Sequence, residues 1–185
     1  MTLTKTPVCD FGKKAEDFKL KSIDNKIISL NDVVGEKATL IMFICNHCPY
    51  VKAIIKDLTK DCNELKKDGI NTVAIMSNDT KNYPEDSFDN MIKFTKSNNF
   101  DEINYLIDET QETAKKYGAV CTPDFFGYNK NLELQYRGRF KELKDLKPIN
   151  NGDSDLKVAM KMVARTQKGP DEQIPSMGCN IKWFN

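Results

Sequence analysis

Hydrophobic positions change period several times along the chain, and each change marks an element. Phe18 and Leu20, then Ile27, Ile28 and Leu30, alternate on either side of Asp24-Asn25, the pattern of a hairpin. Ser29 to Val33 follows as a short capped turn before Gly35. Leu40 to Ile44 is continuously apolar, with β-branched and aromatic content, and is preceded by Glu36-Lys37. Such a run predicts a central strand buried on both faces. Immediately behind it Val51, Ile54, Ile55, Leu58, Cys62 and Leu65 recur at three- and four-residue steps with Lys and Asp between them. That is the stripe of a long amphipathic helix. Pro49 stands in its first turn, where no interior hydrogen bond is lost, and Asp68-Gly69 closes it.

Ile70 to Met76 reads as a second buried strand, and Ser77-Asn78-Asp79 leaves it. A loop from Tyr83 to Ser87 leads into a helix around Phe88, Met91, Ile92 and Phe94. Ile103 to Ile107 is a third apolar run, and Glu109 to Tyr117 a short helix closed by Gly118. Alternation of strand and helix predicts an α/β fold with a parallel-containing sheet. Ala119 to Tyr128 and Leu132 to Tyr136, joined by Asn129-Lys130-Asn131, form a second hairpin. Pro123 is unusual there, because proline gives up a ladder donor. Asp153-Ser154-Asp155 starts a last helix, with Leu156, Ala159, Met160 and Val163 on its buried stripe and its end near Gly169-Pro170. Met160 and Met162 read as core filler, as does Cys62 on the long helix. The final stretch, 170–185, carries Ile174, Met177, Ile181, Trp183 and Phe184, too apolar for a disordered end, and is expected to dock on the body. One domain over 1–185 accounts for the whole pattern.

Chemistry concentrates where the central strand meets the long helix. Cys45 and Cys48 are spaced C-x-x-C there, with the chain's one histidine, His47, between them. Unpaired N–H groups and the positive end of the helix dipole favour a thiolate at this place, and a protonated imidazole favours it further. Half of a zinc knuckle has the same spacing, but a structural zinc site wants a second close pair, and Cys9, Cys62, Cys121 and Cys179 are all isolated. With a net charge of +1 and a pI near 7.5, nothing argues for nucleic acid or a membrane surface as partner. The N-terminus lacks the apolar core of a secretory signal, and no run approaches the roughly 18 apolar residues of a spanning helix. A cytoplasmic location is therefore expected, in which six cysteines rest as thiols.

Four stretches together resemble the thioredoxin superfamily, in its peroxiredoxin-like (AhpC/TSA-type) branch. They are Phe43 to Val51 around the C-N-H-C motif, Thr122 to Phe126, Tyr136-Arg137-Gly138-Arg139, and Gly178 to Trp183. The resemblance spans essentially the whole chain. It implies a thioredoxin-like fold: a central mixed β-sheet flanked by helices, an N-terminal β-hairpin extension and a docked C-terminal tail. It also implies that Thr122-Pro123 is the family's cis-proline, facing the dithiol and shaping a substrate groove. Peroxiredoxins carry P-x-x-x-T-x-x-C. With Cys48 as the last position, Cys45 replaces the threonine and Ile41 the proline. A hydroxyl that orients peroxide has become a second thiol, which favours dithiol–disulfide exchange.

The expected activity is thus a thiol–disulfide oxidoreductase. Cys45 is the attacking nucleophile with a lowered pKa, Cys48 the resolving thiol, and His47 the residue that tunes the thiolate and biases the couple toward oxidation. Its partners would be a disulfide-bearing protein or a small-molecule thiol, and an electron donor. No cofactor and no metal are called for. Three alternatives remain: a thiol peroxidase, an antioxidant activity with Cys48 peroxidatic and Arg137 or Arg139 supplying positive charge; a Cu(I)- or zinc-binding module using Cys45, Cys48, His47 and Cys121; and a purely structural or interaction role. Cys121 and Cys179 form a candidate redox relay if the tail folds back over the dithiol. Otherwise they are buried packing thiols.

Overall fold

A computed structural model describes residues 2–100 and 102–184. The elements in order are β1 (Leu3–Lys5), β2 (Lys19–Ser22), β3 (Ile27–Ser29), α1 (Leu30–Val33), β4 (Ala38–Phe43), α2 (Pro49–Lys67), β5 (Ile70–Met76) and α3 (Phe88–Ser97). There follow β6 (Ile103–Ile107), α4 (Glu112–Tyr117), β7 (Cys121–Thr122), β8 (Asp124–Asn129), β9 (Leu134–Tyr136), β10 (Leu143–Lys144), β11 (Lys147–Pro148), α5 (Asp155–Thr166) and β12 (Met177–Asn180). The main sheet has the order β3-β2-β6-β5-β4-β8-β9. Its centre, β4-β5-β6, is parallel, and β8, β9, β2 and β3 add antiparallel edges. This is the thioredoxin-like mixed sheet with its hairpin extension.

All six residues of β4 are buried, which is why its sequence shows no polar alternation. The strand period still sorts them. Ala38, Leu40 and Met42 face Val51, Ile54, Leu58 and Leu65 of α2 and Leu156, Met160 and Val163 of α5. Ile41 and Phe43 face Leu30 and Val33 of α1 and Ala114 and Tyr117 of α4. Each fully covered Leu or Ile contributes about 1.5–3 kcal/mol of burial, so the end of β4 and the start of α2 are held from both sides. Asp68 and Gly69 (φ +79°) end α2, and Gly118 (φ +65°) ends α4.

Three details depart from the sequence pattern. Helix α4 begins at Glu112 rather than Glu109, because the Asp108 carboxylate accepts the Ala114 N–H (2.9 Å) and the Ser77 hydroxyl (3.0 Å) and holds the residues between them in a turn. Met162 is only half-buried, unlike Met160. The tail does more than dock, for β12 lies between β1 and β7 as the middle strand of a separate antiparallel sheet, with Cys179 opposite both Leu3 and Thr122. Buried polar groups clamp it on both sides of Cys179. The Ser176 hydroxyl donates to the Pro123 carbonyl (2.8 Å), the Lys182 N–H to the Asn78 side chain (2.9 Å), and the Gln111 amide to the Lys182 carbonyl (2.8 Å). Among the described residues no helix is long and apolar enough to cross a membrane.

Candidate active site

Strand β4 runs out at Phe43, and the Ile44 N–H still reaches the Ile75 carbonyl (3.0 Å). Cys45, Asn46 and His47 then turn the chain, and Cys48 is the N-cap of α2. The Thr122–Pro123 peptide, which is cis, crosses in front of both cysteines. The Cys45 sulfur lies 3.3 Å from the Thr122 hydroxyl, and the Cys48 sulfur 3.1 Å from the Thr122 carbonyl oxygen. Strand β12 closes the far side, with the Cys179 and Cys48 sulfurs hydrogen-bonded at 3.0 Å. Three thiols therefore meet around Cys48, all of them in the reduced form.

They do not share their protons equally. The Cys45 thiol, hydrogen-bonded to Cys48, is the largest cause that pulls Cys48 down to about 5, against the cost of its burial. The Cys179 thiol and the Val51 and Cys179 N–H groups add to the effect. Cys45 is pushed well above the ordinary thiol range by donating its S–H hydrogen bond to Cys48, by burial and by the nearby Asp86 carboxylate. Cys179 is pushed up to about 12 by burial first and by its bond to Cys48 second. A protonated Cys48 can donate to the Thr122 carbonyl or to the Cys179 sulfur. The ionised form instead has donors around it.

The lowered pKa expected at Cys45 thus belongs to Cys48. The physical reason is placement: Cys45 stands before the helix and beside a carboxylate, whereas Cys48 caps the helix and receives the donors. Cys45 is not the more exposed sulfur either, since both cysteines are at most 1% exposed. His47 is positioned by Asp86, its Nδ1 lying 2.7 Å from Oδ2. That bond raises its pKa, and the Cys48 charge raises it further. The Cys45 sulfur lies within 4.8 Å of a His47 ring nitrogen, and the His47 charge also interacts with that of Cys48. Its ring stacks on Tyr83 at 5.8 Å, and Nε2 is buried with no hydrogen-bond partner among the described residues.

Asp86 organises this side of the site, and no sequence pattern pointed to it. It is wholly buried and accepts the N–H of Asn46 (2.8 Å), the N–H of His47 (3.3 Å), His47 Nδ1 and the Asn78 amide (2.8 Å). Asn46 in turn accepts the Tyr105 hydroxyl at 3.0 Å. Lys182, from the tail, holds its ammonium over the Tyr83 ring at 5.7 Å. The Tyr83-Pro84 turn marks a loop in the sequence, but nothing local says which residues that loop serves.

The other candidates are placed as follows. Arg137 is buried and committed to Asp124 (3.0 and 3.3 Å), to the Gly118 carbonyl (2.7 Å) and to the Phe126 ring. Arg139 pairs with Asp155 (2.6 Å) and Glu142 (3.2 Å). Neither supplies the uncommitted positive charge that a peroxide site was expected to draw from them, because each is neutralised by carboxylates of its own. The Cys121 thiol turns to the Pro123 carbonyl at 3.5 Å and is raised by burial. Cys62 is pushed up to about 12 by burial inside α2's core face. Among the described residues one set of potential metal-ligand atoms, on Cys45, His47 and Asp86, lies within 4.8 Å, and it includes neither Cys48 nor Cys121. Both Asp86 oxygens are already engaged by the four donors above. A groove of about 490 Å³ opens beside Pro123, bordered by Tyr50, Ile54, Phe140, Ser176 and Met177.

Gly178 lets the tail strand close on the site, since a Cβ there would lie 2.1 Å from the Thr122 carbonyl oxygen. Gly178→Ala is therefore expected to push β12 off β7 and separate Cys179 from Cys48 while leaving every thiol in the chain. Overpacking of this kind costs about 1–3 kcal/mol. A lower Tm with an upward move of the Cys48 pKa checks it, and unchanged values of both would refute the contact.

A family model described as the AhpC/TSA family matches residues 11–140. No curated protein matches the chain. Among solved structures it is similar to an uncharacterized conserved protein from Geobacillus kaustophilus, at 39% identity over 100% of this chain and 97% of that one, with a TM-score of 0.89. It is also similar to a hypothetical protein from Sinorhizobium meliloti 1021, at 35% identity over 98% of each chain, with a TM-score of 0.90. The thioredoxin domain of a thiol-disulfide oxidoreductase from Bacteroides vulgatus shares the fold at 17% identity, covering 69% of this chain and 86% of that one, with a TM-score of 0.58.

Proposed function

From the premise that the chain belongs to the AhpC/TSA family, we propose that it is a thiol–disulfide oxidoreductase whose attacking sulfur is Cys48 and whose resolving thiol is Cys45. The observation that carries this reading is the cluster of thiols around one low-pKa sulfur at a helix N-terminus. The Cys48 thiolate attacks a substrate disulfide, forming a mixed disulfide and releasing one substrate thiolate. Cys45 gives its proton to that leaving thiolate, attacks the Cys48 sulfur and releases the second substrate sulfur as a thiolate, which takes a proton from water. The centre is left as a Cys45–Cys48 disulfide, which a dithiol donor reduces. The roles are the reverse of those expected from the order of the cysteines. His47, held charged by Asp86, stabilises Cys48 as thiolate both before attack and as leaving group. The groove beside Pro123 is suited to an extended segment of a protein substrate. We place this activity in the cytoplasm, where a donor dithiol would keep the centre reduced.

A second reading, a thiol peroxidase with Cys48 peroxidatic, is favoured by two observations: the low pKa of Cys48 and its burial, which suits a small oxidant. Against it stand the carboxylate-paired arginines and a thiol where peroxiredoxins have threonine. One sample decides between them. With dithiothreitol as donor, disulfide reduction in insulin is expected to exceed the uncatalysed rate, while hydrogen peroxide consumption stays at background. Rapid peroxide turnover without disulfide reduction would overturn the proposal in favour of the peroxidase.

A further inference from the structure

The sulfur nearest Cys48 outside its own turn belongs to the tail. We propose that Cys179 is a third exchanging thiol of the centre, and that oxidation moves from a Cys45–Cys48 disulfide to a Cys48–Cys179 disulfide in β12. This rests on the reading of Cys48 as the exchanging sulfur and adds a step to it.

The geometry is specific. Cys48 and Cys179 lie 131 positions apart in the chain with their sulfurs at 3.0 Å. Register alone would bring the backbone of β12 to Thr122, but the side-chain contact needs more. Gly178 permits the close approach of the two strands, and hydrogen bonds from Ser176, Asn78 and Gln111 fix the tail on either side. Cys121, which faces Asn180 in the same ladder, turns its sulfur to the Pro123 carbonyl instead. Of the two isolated cysteines on paired strands, only Cys179 makes a sulfur contact with the dithiol.

The chemistry balances without an added oxidant. Starting from Cys45–S–S–Cys48, the Cys179 sulfur attacks the Cys48 sulfur. The Cys45–Cys48 bond breaks, the Cys48–Cys179 bond forms, and the proton of Cys179 ends on Cys45. Cys45 is the right acceptor for that proton, because burial and Asp86 disfavour its thiolate. Lys182, three residues beyond Cys179, places an ammonium where it favours the Cys179 thiolate during attack. The tail also borders the groove at Ser176 and Met177. Cys179 is as buried as the dithiol, but Met177, two residues before it, is exposed, so a reducing partner can touch the strand that carries the last disulfide.

Disulfide mapping tests the relay. The reduced full-length protein is exposed to oxidised glutathione, quenched in acid, alkylated and digested for mass spectrometry. In the wild type a Cys48–Cys179 peptide is expected beside Cys45–Cys48. In Cys45→Ser the Cys48–Cys179 disulfide should dominate. In Cys45→Ser/Cys179→Ser the Cys48–glutathione adduct should accumulate, about tenfold or more above Cys45→Ser, because no thiol remains to resolve it. If Cys45→Ser alone accumulates that adduct, or the wild type forms only Cys45–Cys48, the relay is overturned while the dithiol reading stands. If Cys48 forms no disulfide with any partner, both fall.

Discussion

Cys48→Ser is expected to abolish disulfide exchange, and in the unmodified protein Cys48 should alkylate with a pH profile that is flat above about pH 6 and falls near 5. The profile matters more than the rate, because two effects oppose each other. At pH 7 a thiol of pKa about 8.5 is roughly 3% ionised and Cys48 almost fully so, an advantage of about 30-fold. Nucleophilicity falls with pKa, with a Brønsted slope of about 0.4–0.5, and takes back a similar factor. The net advantage at pH 7 is thus close to one, but at pH 5 to 6 it grows to roughly 5- to 60-fold. The leaving-group side has no such cancellation, since a low-pKa sulfur leaves faster, and a stabilised thiolate makes the disulfide more oxidising. About two pH units of added stabilisation at neutral pH amount to roughly 3 kcal/mol, or on the order of 60 mV for a two-electron couple. Cys45→Ala removes the hydrogen-bond donor that is the largest cause of the shift, so the inflection of Cys48 should move up in that variant. An inflection near 8.5 on Cys48, or a low-pH inflection that follows Cys45, would refute the assignment.

Asp86→Asn should produce the largest loss of stability among single substitutions at the site. Asp86 is 0% exposed and receives four donors, two of them backbone N–H groups of the turn that carries the cysteines. An asparagine keeps the shape but offers one acceptor oxygen in place of two, and removes the charge opposite His47. Breaking a buried pair of this kind costs about 3–5 kcal/mol, and at this chain length each kcal/mol lowers Tm by about 2–4 °C. A fall on the order of 6–20 °C follows. The pH dependence has a definite sign. The folded His47 pKa is raised above 6.5, so its pairing with Asp86 contributes fully below about 6.5 and is lost as pH rises through the folded value. The deficit of Asp86→Asn should therefore be larger at pH 6 than at pH 9. Removing the carboxylate should also lower the pKa of Cys45, which Asp86 holds up. A loss below about 1 kcal/mol, or one that does not shrink at high pH, would contradict this account.

Some of this architecture is dictated by short stretches of chain. The unbroken apolar run at β4 can be satisfied only by burial on both faces. The three- and four-residue stripe of α2 can be covered only as a helix, and a proline at its start and a glycine past its end bound it. These are effects of neighbouring residues, so the strand-to-helix junction with Cys45 and Cys48 was legible without any structure. The hairpins and the cis bond before Pro123 were legible in the same way, through turn residues and through the resemblance of Thr122 to Phe126.

Which sulfur bears the charge was not legible, because it depends on atoms a few ångströms away in space and far away in sequence. Thr122 is 74 positions from Cys48, Cys179 is 131, and Asp86 is 39 from His47. A rule based on the helix N-terminus and an adjacent histidine treats both cysteines nearly alike. The donors and the buried carboxylate that separate them arrive only with the tertiary structure. The same holds for the tail. Met177-Gly178-Cys179-Asn180 has no alternation to announce a strand, and its apolar content said only that it would be covered. That it becomes the middle strand of a second sheet, with one thiol against the dithiol, is decided by the room Gly178 leaves at Thr122 and by the register of β1 and β7. Local patterning in the sequence determined where the cysteines sit, and tertiary packing, because a pKa answers to distance in space, decided which donors and charges surround each of them.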